Sequence, residues 1–201
     1  ERLGKASNHF ELILTDFDYE TFQMREEIKN LINQKQSEKA TKLLNIYESK
    51  LNLMSNVHRQ FVVAQRGVLN ELEGGKVEDT IDLLMKAILY TIPRFNTNKI
   101  NDNNYSNMEL NIVIKLIEQF INKGSKNCAN DILTQVLEYL DTFSSMERNN
   151  LLYPRVVIMK CKLLMDEGQY SMIIDLCDKG LVKKSGCKKL DFLGDLYYLK
   201  A

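Results

Sequence analysis

Apolar residues recur along this chain at intervals of three and four residues, from its first segments to its last. That spacing places them on one side of an α-helix, whereas no stretch shows the alternation that a half-buried strand requires. Only two prolines and nine glycines interrupt the pattern. The sequence therefore predicts an all-α protein in which each helix buries one face against its neighbours.

The segment from Arg59 to Pro93 contains two such helices, joined by Gly74-Gly75. The glycines are predicted to end one helix, and a second is predicted to begin near Val77 and to stop before the proline. This layout is typical of a tetratricopeptide (TPR) repeat, which has to stack on neighbouring repeats to bury its apolar face. We predict a right-handed superhelix of antiparallel helix pairs, a TPR-like solenoid.

Turn and capping signals divide the rest of the chain in the same way. We predict a linker with a short helical turn over residues 1–17 and a repeat domain over 18–201. Its pairs are predicted at about 18–51, 56–92, 106–143 and 145–182, with a partial repeat at 189–201. Capping boxes are predicted to begin helices at Ser106 and Ser144. Pro154 indicates either a kink or a later helix start near Tyr153.

After Pro93, residues 96–107 hold six asparagines in twelve residues, which predicts a loop. In the first pair, Asp18 is expected to cap a helix from Tyr19 to Asn33. The apolar residues of this pair are expected to face inward: Phe22, Ile28, Leu31, Ile32, Ala40, Leu43, Leu44 and Tyr47.

Small residues occupy equivalent places near the starts of three second helices: Ala40, Thr80 and Ala129 lie 40 and 49 residues apart. A TPR unit has about 34 residues, and armadillo or HEAT repeats of about 40–47 residues fit this spacing as well. We favour the TPR type because the turn and helix after Gly75 follow its pattern, with small Thr80 and Ala87 where helices approach closely.

Composition excludes several classes of function. Lys and Arg number 27 and Asp and Glu number 27, so the formal net charge is zero. Direct contact with DNA or RNA is not expected, because nucleic-acid binding depends on a basic excess. No membrane partner is expected either, because no apolar run approaches the roughly 20 residues that span a bilayer.

The candidate chemical groups have ordinary structural explanations. Four cysteines lack C-x-x-C spacing, which favours buried reduced thiols over a metal site. Asp16 and Asp18 fit turn and capping roles. The lysines at 183, 184, 188 and 189 fit a solvated helix end better than a surface for an acidic partner. Since no catalytic or cofactor motif is found, we expect no enzyme, no metal and no cofactor.

The predicted ligand site is the groove that the first helices of the pairs line. Asparagine amides suit the backbone of an extended peptide, and arginine can hold a carboxylate with two hydrogen bonds. We predict that a short peptide or protein segment binds there. The candidates are polar residues outside the core: Arg59, Arg66 and Asn70 on the second pair; Asn107, Asn111, Lys115 and Glu118, one stripe on the third; and Asn149, Asn150 and Lys162 on the fourth.

A resemblance adds to this interpretation. The opening E-R-L-G-K-A-S-N-H-F-E resembles the junction before the repeats in Gram-positive regulators of the RRNPP (Rgg/PlcR/PrgX/NprR-like) type. Residues 19–28 resemble the first repeat helix of these proteins, and L-G-D-L-Y-Y-L-K-A resembles a further one. The residues that carry the junction are Leu3, Gly4, Lys5, Ser7, Phe10 and Glu11.

This resemblance implies a cytoplasmic, homodimeric transcriptional regulator of the quorum-sensing kind. Such a protein binds a signalling peptide in the groove of its repeats and binds DNA through an N-terminal helix-turn-helix domain. The chain departs from the family in that this domain is absent, so it is expected to be a fragment. Two alternatives stay open: a general TPR scaffold that docks a protein partner, and a Rap-like antagonist of a response regulator.

Overall fold

The computed structural model describes residues 16–50, 55–142, 152–184 and 192–200. This part of the chain holds nine α-helices and contains no β-strand, so the all-α prediction is confirmed. Two compact units are formed, one by residues 1–53 and one by residues 54–201. No helix among the described residues is both long enough and apolar enough to cross a membrane.

The first unit contains one helix pair, α1 (Asp16–Asn33) and α2 (Ser37–Lys50). An ion pair between Lys50 and Glu20 joins α2 to α1. Helix α1 begins two residues before the predicted cap, Asp18. The core of the unit consists of apolar side chains from both helices: Met24, Ile28, Ile32, Ala40, Leu44 and Tyr47.

Phe22 was predicted to face inward, and this prediction is wrong. Its side chain is 57% exposed, whereas Thr21 and Met24 are buried. Thr21, Met24 and Ile28 follow one another at three- and four-residue spacing and so share one face of α1, and Phe22 lies about 100° round the helix from Thr21. The apolar pattern of α1 alone does not distinguish the observed rotation of the helix, which buries Thr21, from one that would bury Phe22.

In its described residues, the second unit contains three helix pairs and a further helix. The pairs are α3 (Asn56–Leu72) with α4 (Val77–Leu89), α5 (Asn107–Asn122) with α6 (Lys126–Thr142), and α7 (Leu152–Asp166) with α8 (Tyr170–Lys184). The last helix, α9 (Leu193–Lys200), packs against α7 and α8. Consecutive helices pack against each other, as stacked helix pairs require.

The capping box at the start of α5 is confirmed. The Glu109 N–H donates to Ser106 Oγ at 3.3 Å, and the Ser106 N–H donates to Glu109 Oε2 at 2.6 Å. The second predicted box, at Ser144, lies outside the described residues. Helix α7 begins at Leu152, which places Pro154 in its first turn, where a missing N–H breaks no hydrogen bond within the helix.

One type of turn ends the first helix of all four pairs. A single residue adopts a left-handed conformation there: Lys35 at φ 58°, Gly74 at 73°, Gly124 at 83° and Gly168 at 70°. After α5, the Gly124 N–H donates to the Ile121 carbonyl and the Ser125 N–H donates to the Phe120 carbonyl, both at 2.9 Å. The other three turns repeat this pair of bonds, which is the Schellman motif.

The second helices begin alike as well. Ala40, Thr80 and Ala129 each donate their own N–H to a carbonyl four residues earlier, at 3.0–3.2 Å, in the first turn of their helix. All three side chains are buried, as the sequence predicts for equivalent small residues. Gly67 on α3 is a further small residue at a close approach, because a Cβ there would lie 3.3 Å from Leu84 Cγ of α4.

The asparagine-rich segment before α5 is an ordered loop that packs on α6. It contains a 3₁₀ turn, Ile100–Asp102, whose first side chain is fully buried. The Gln135 side chain accepts from the Ile100 N–H at 3.0 Å and donates to the Thr97 carbonyl at 3.1 Å. The loop thus contributes to the core of the second unit rather than only joining two helices.

Aromatic rings hold the other end of this loop. Tyr105 meets Phe95 and Tyr139 edge-on, with ring centroids 6.5 Å and 5.2 Å apart. The Tyr105 N–H also donates to the Tyr139 hydroxyl at 3.0 Å. Edge-on aromatic pairs stabilise a fold beyond the contribution of their buried area, so Tyr139 of α6 helps to hold this end of the loop.

Replacing Lys35 with glycine is expected to stabilise the first unit. The left-handed conformation strains a residue with a Cβ, so Lys35→Gly is expected to raise the free energy of unfolding by about 0.5–1 kcal/mol. Chemical denaturation, with hydrogen exchange of the α1 and α2 amides, measures the change. The matched control Lys39→Gly, at an exposed position inside α2, is expected to lower it by about 1 kcal/mol. Destabilisation by both variants would contradict the account of this turn.

Truncating Ile100 is expected to destabilise the second unit although it lies in a loop. Ile100→Ala is expected to lower the free energy of unfolding by about 2–4 kcal/mol, because a fully buried side chain leaves a cavity. Urea unfolding measures this. Asn98→Ala serves as control, since Asn98 is exposed and uses its backbone N–H, not its side chain, to bond Asn96. Equal stability of the two variants would show that the loop does not belong to the core.

Candidate functional site

Helix α5 is buried on nearly every side. Between Leu110 and Gln119, the side chains that reach solvent are Asn111, Lys115 and Glu118. Asn107 continues the same line one turn earlier, and the Asn111 side chain donates to its carbonyl at 2.7 Å. The structure therefore places the predicted polar stripe of the third pair on the one face of α5 that packing leaves open. We call Asn107, Asn111, Lys115 and Glu118 the α5 stripe.

Two ion pairs connect this stripe to the neighbouring first helices. Lys115 Nζ lies 2.7 Å from Glu118 Oε2 and 3.3 Å from Glu71 Oε2 on α3. From the other side, Arg155 Nη2 on α7 donates to Glu118 Oε1 at 2.6 Å. We call Glu71, Lys115, Glu118 and Arg155 the charge ladder. It joins the first helices of three successive pairs.

The ladder is only partly solvated, since its four side chains are 27–29% exposed. Burial by itself raises the pKa of the Glu118 carboxyl. The hydrogen bonds and charges of Lys115 and Arg155 together outweigh that effect and hold this pKa below its ordinary value. Glu118 therefore stays ionised at neutral pH and binds two cations at once. Pairs in such surroundings are screened less by salt than exposed pairs.

Glu71 and Arg155 were not among the predicted site residues. Each is an ordinary charged residue on its own helix, and they come within reach of α5 only through the stacking of the pairs. Their partners lie 44 and 37 residues away in sequence. The periodicity of a single helix carries no signal for such contacts.

The shared turns show which positions on α3 and α7 correspond to the α5 stripe. Lys115 and Glu118 lie nine and six residues before Gly124. The same counts back from Gly168 give half-buried Met159 and exposed Lys162. The same counts back from Gly74 give two half-buried residues of α3, Gln65 and Val68.

The predicted arginines and asparagine of α3 therefore lie off this line. Arg66 and Asn70 follow Gln65 and Val68 by one and two positions, about 100° and 200° round the helix. Half-buried Arg59 makes no ion pair or hydrogen bond with the described residues, and Arg66 is exposed. Asn149 and Asn150, the predicted candidates before α7, lie outside the described residues.

Asn70 stabilises the turn between α3 and α4. Its side-chain amide donates to Thr80 Oγ1 at 2.8 Å and to the Lys76 carbonyl at 3.2 Å. A Cβ at Gly75 would lie 2.2 Å from Asn70 Oδ1, so the second glycine makes room for this amide. Both N–H groups of the Asn70 side-chain amide are thus used within the repeat, where they stabilise the turn.

The described cysteines have little reactive character. Cys161 and Cys177 are fully buried with their Sγ atoms 3.8 Å apart, well beyond the length of about 2.05 Å of a disulfide bond. Burial raises the pKa of the Cys161 thiol to about 12, which keeps it protonated. In the described part of the chain, no group of three or more His, Cys, Asp or Glu residues could hold a metal ion. Cys187 lies outside that part.

Lys160 is a buried cation that the sequence analysis did not single out. From α7 it donates to Asn130 Oδ1 at 2.5 Å and to Thr134 Oγ1 at 2.8 Å, both on α6. Burial lowers the pKa of this ammonium group. These bonds satisfy the buried group and hold α7 against α6, on the far side of α7 from exposed Lys162.

No family model matches this sequence, and no curated protein matches it. Among solved structures, apo PlcR of Bacillus thuringiensis is similar with a TM-score of 0.75 and 17% identity, over 95% of this chain and 68% of PlcR. A Podosopora anserina putative kinesin light chain with TPR-like repeats is similar with a TM-score of 0.58 and 14% identity, over 92% of this chain and 88% of that chain. The predicted TPR-like repeat fold is confirmed, and PlcR, a protein of the type that the sequence resembles, shares it.

Proposed function

We propose that this chain is the ligand-sensing repeat domain of a peptide-responsive transcriptional regulator, and that it binds a short peptide without catalysis. The α5 stripe carries the proposal. It is a line of polar side chains on the open face of a helix that is otherwise buried. The fold shared with PlcR supports the type of protein.

The chemistry of the stripe suits the main chain of an extended peptide. Asn107 and Asn111 are exposed, and each amide offers a donor and an acceptor. Lys115 adds a charge that is held in place by two carboxylates. A peptide presents one N–H and one carbonyl per residue, so side-chain amides bind it with little dependence on its sequence. Arg59, Arg66, Asn70 and Asn150 stay predictions as ligand contacts.

The ladder suggests how binding is transmitted. A ligand on the α5 stripe lies beside charges that join α3, α5 and α7, so it favours one arrangement of these helices over another. Binding then shifts an equilibrium that exists without ligand. In the protein we propose, a separate helix-turn-helix domain contacts DNA, the subunits form a homodimer, and the site of action is the cytoplasm. The zero formal net charge agrees with a domain that does not itself contact DNA.

A second candidate is a TPR scaffold that docks a segment of a partner protein. The similarity in fold to the Podosopora anserina repeats is the observation that favours it. Both candidates use the same groove, and they differ in whether ligand binding alters DNA binding by the complete protein. The Rap-like alternative has no comparable support in the described residues.

Peptide binding can be tested with a random heptapeptide library selected on the immobilised protein. We expect retained peptides, and we expect Asn111→Ala to weaken the best of them about 5- to 10-fold in calorimetry, the effect of losing about one hydrogen bond. Asn111 is exposed, so the substitution leaves the fold intact. Asn98→Ala, an exposed asparagine of the loop, serves as control and is expected to bind like the unaltered protein.

Two results would count against the proposal. One is that no heptapeptide is retained above the level of an unrelated helical protein. The other is that Asn111→Ala binds the selected peptide as tightly as the unaltered chain does, which would place the ligand elsewhere.

A further inference from the structure

The four charges of the ladder follow a fixed order across the first helices of the second unit. Glu71 on α3 is followed by Lys115 and Glu118 on α5 and then by Arg155 on α7. The inner residues, Lys115 and Glu118, each have two partners of opposite charge. The outer residues, Glu71 and Arg155, each have one partner. The ladder therefore ends in an incompletely balanced acid on α3 and an incompletely balanced base on α7.

The positive end on α7 is well supplied with free donors. A guanidinium has five N–H donors, and within the described residues that of Arg155 uses one, toward Glu118 Oε1. Lys162 lies seven residues further on the same face, exposed and without a partner in the described part of the chain. Asp166, the next charge on that face, is 2.6 Å from Lys126. The open face of α7 therefore carries a surplus of positive charge.

Within the described ranges, the negative end on α3 has no comparable cation beyond Lys115. Glu71 lies in the last turn of α3, where the helix dipole adds negative potential. The α3 residues that correspond to Lys115 and Glu118, Gln65 and Val68, are uncharged. The arginines of the helix, at 59 and 66, lie more than about 100° round it from Glu71. The open face of α3 is therefore negative where that of α7 is positive.

We propose that this charge order gives the groove a direction: a bound peptide lies across α3, α5 and α7 with its amino terminus at Glu71 and its terminal carboxylate at Arg155 and Lys162. The inference rests on the proposed peptide-binding function and adds the orientation and the recognition of free termini. The reverse orientation would set the peptide ammonium group beside two cations and its carboxylate beside Glu71, so like charges would repel at both ends.

The length of the site agrees with a short peptide. One pair of long side chains bridges each of the two steps from α3 to α7, Glu71 with Lys115 and Glu118 with Arg155. Each step is on the order of 10 Å, so the two together cover roughly 20 Å, which an extended chain covers with about six residues at about 3.3 Å per residue. A carboxylate on the unused donors of Arg155 leaves its bond to Glu118 in place, so binding does not require the ladder to break.

The test uses the heptapeptide that the library selects, synthesised in four forms: free, N-acetylated, C-amidated and blocked at both ends. We expect C-amidation to weaken the affinity measured by calorimetry about tenfold in the unaltered protein. In the double variant that combines Lys162→Gln with Arg155→Gln, amidation is expected to have no effect. Acetylation is expected to weaken binding in the unaltered protein and to lose its effect in Glu71→Gln. Each combination of a blocked terminus with a substituted side chain forms a double-mutant cycle, which reports the coupling between that terminus and that side chain.

The design separates local effects from loss of structure. Lys162→Gln alone alters an exposed side chain outside the ladder, so it keeps the fold and is expected to reduce the amidation effect in part. Lys86→Gln, an exposed lysine on the second helix α4, is the matched control and is expected to leave the amidation effect unchanged. Circular dichroism checks that the ladder variants remain folded.

The outcomes have different consequences. If amidation sensitivity disappears in Glu71→Gln instead of the α7 variants, the orientation is reversed and the inference is wrong. If all four peptide forms bind equally well, the termini are not recognised; the inference fails while the proposed peptide binding stands. If the library yields no peptide, the proposed function fails, and the inference fails with it.

Discussion

Each helix pair of this chain depends on the way the backbone reverses after its first helix. One left-handed residue, glycine in three of the four turns, directs two successive N–H groups back to the last carbonyls of the helix. The reversal therefore satisfies the helix end with its own backbone. Helices that end this way leave fewer polar groups to be satisfied where they pack against their neighbours. Lys35 shows that the constraint is on the backbone conformation, since it adopts φ 58° at a cost that glycine avoids.

The repeated turn also aligns the first helices, and this alignment decides which residues meet solvent. Helix α5 lies between two other pairs and is left with one open face, which polar residues occupy. There the charge ladder forms, with each inner charge held by two partners. A half-buried network of this kind stabilises a particular arrangement of helices, because removing one member leaves another charge without its partner. The candidate site is thus also a joint between repeats.

Sequence reasoning succeeded where a feature depends on neighbours within a few residues. The glycine turns, the Ser106–Glu109 capping box and the α5 stripe are all of that kind, since each follows from helix periodicity or from the first turn of one helix. It failed where the rotation of a helix mattered. Phe22 was predicted to face inward and is exposed, whereas Thr21 and Met24 are buried. Helix periodicity is the same for both rotations, and only the flanking helices distinguish them.

By itself, the sequence determined the helices, the glycine turns that end three of the first helices, the small residues at close approaches and the stripe that α5 leaves open. Only the tertiary structure decided that Ile100 of an asparagine-rich loop is a core residue, and that Glu71 and Arg155 meet α5. The physical reason is range. Helix formation and capping act over three or four residues, whereas these contacts join residues 35 to 44 positions apart, and stacking alone brings them together.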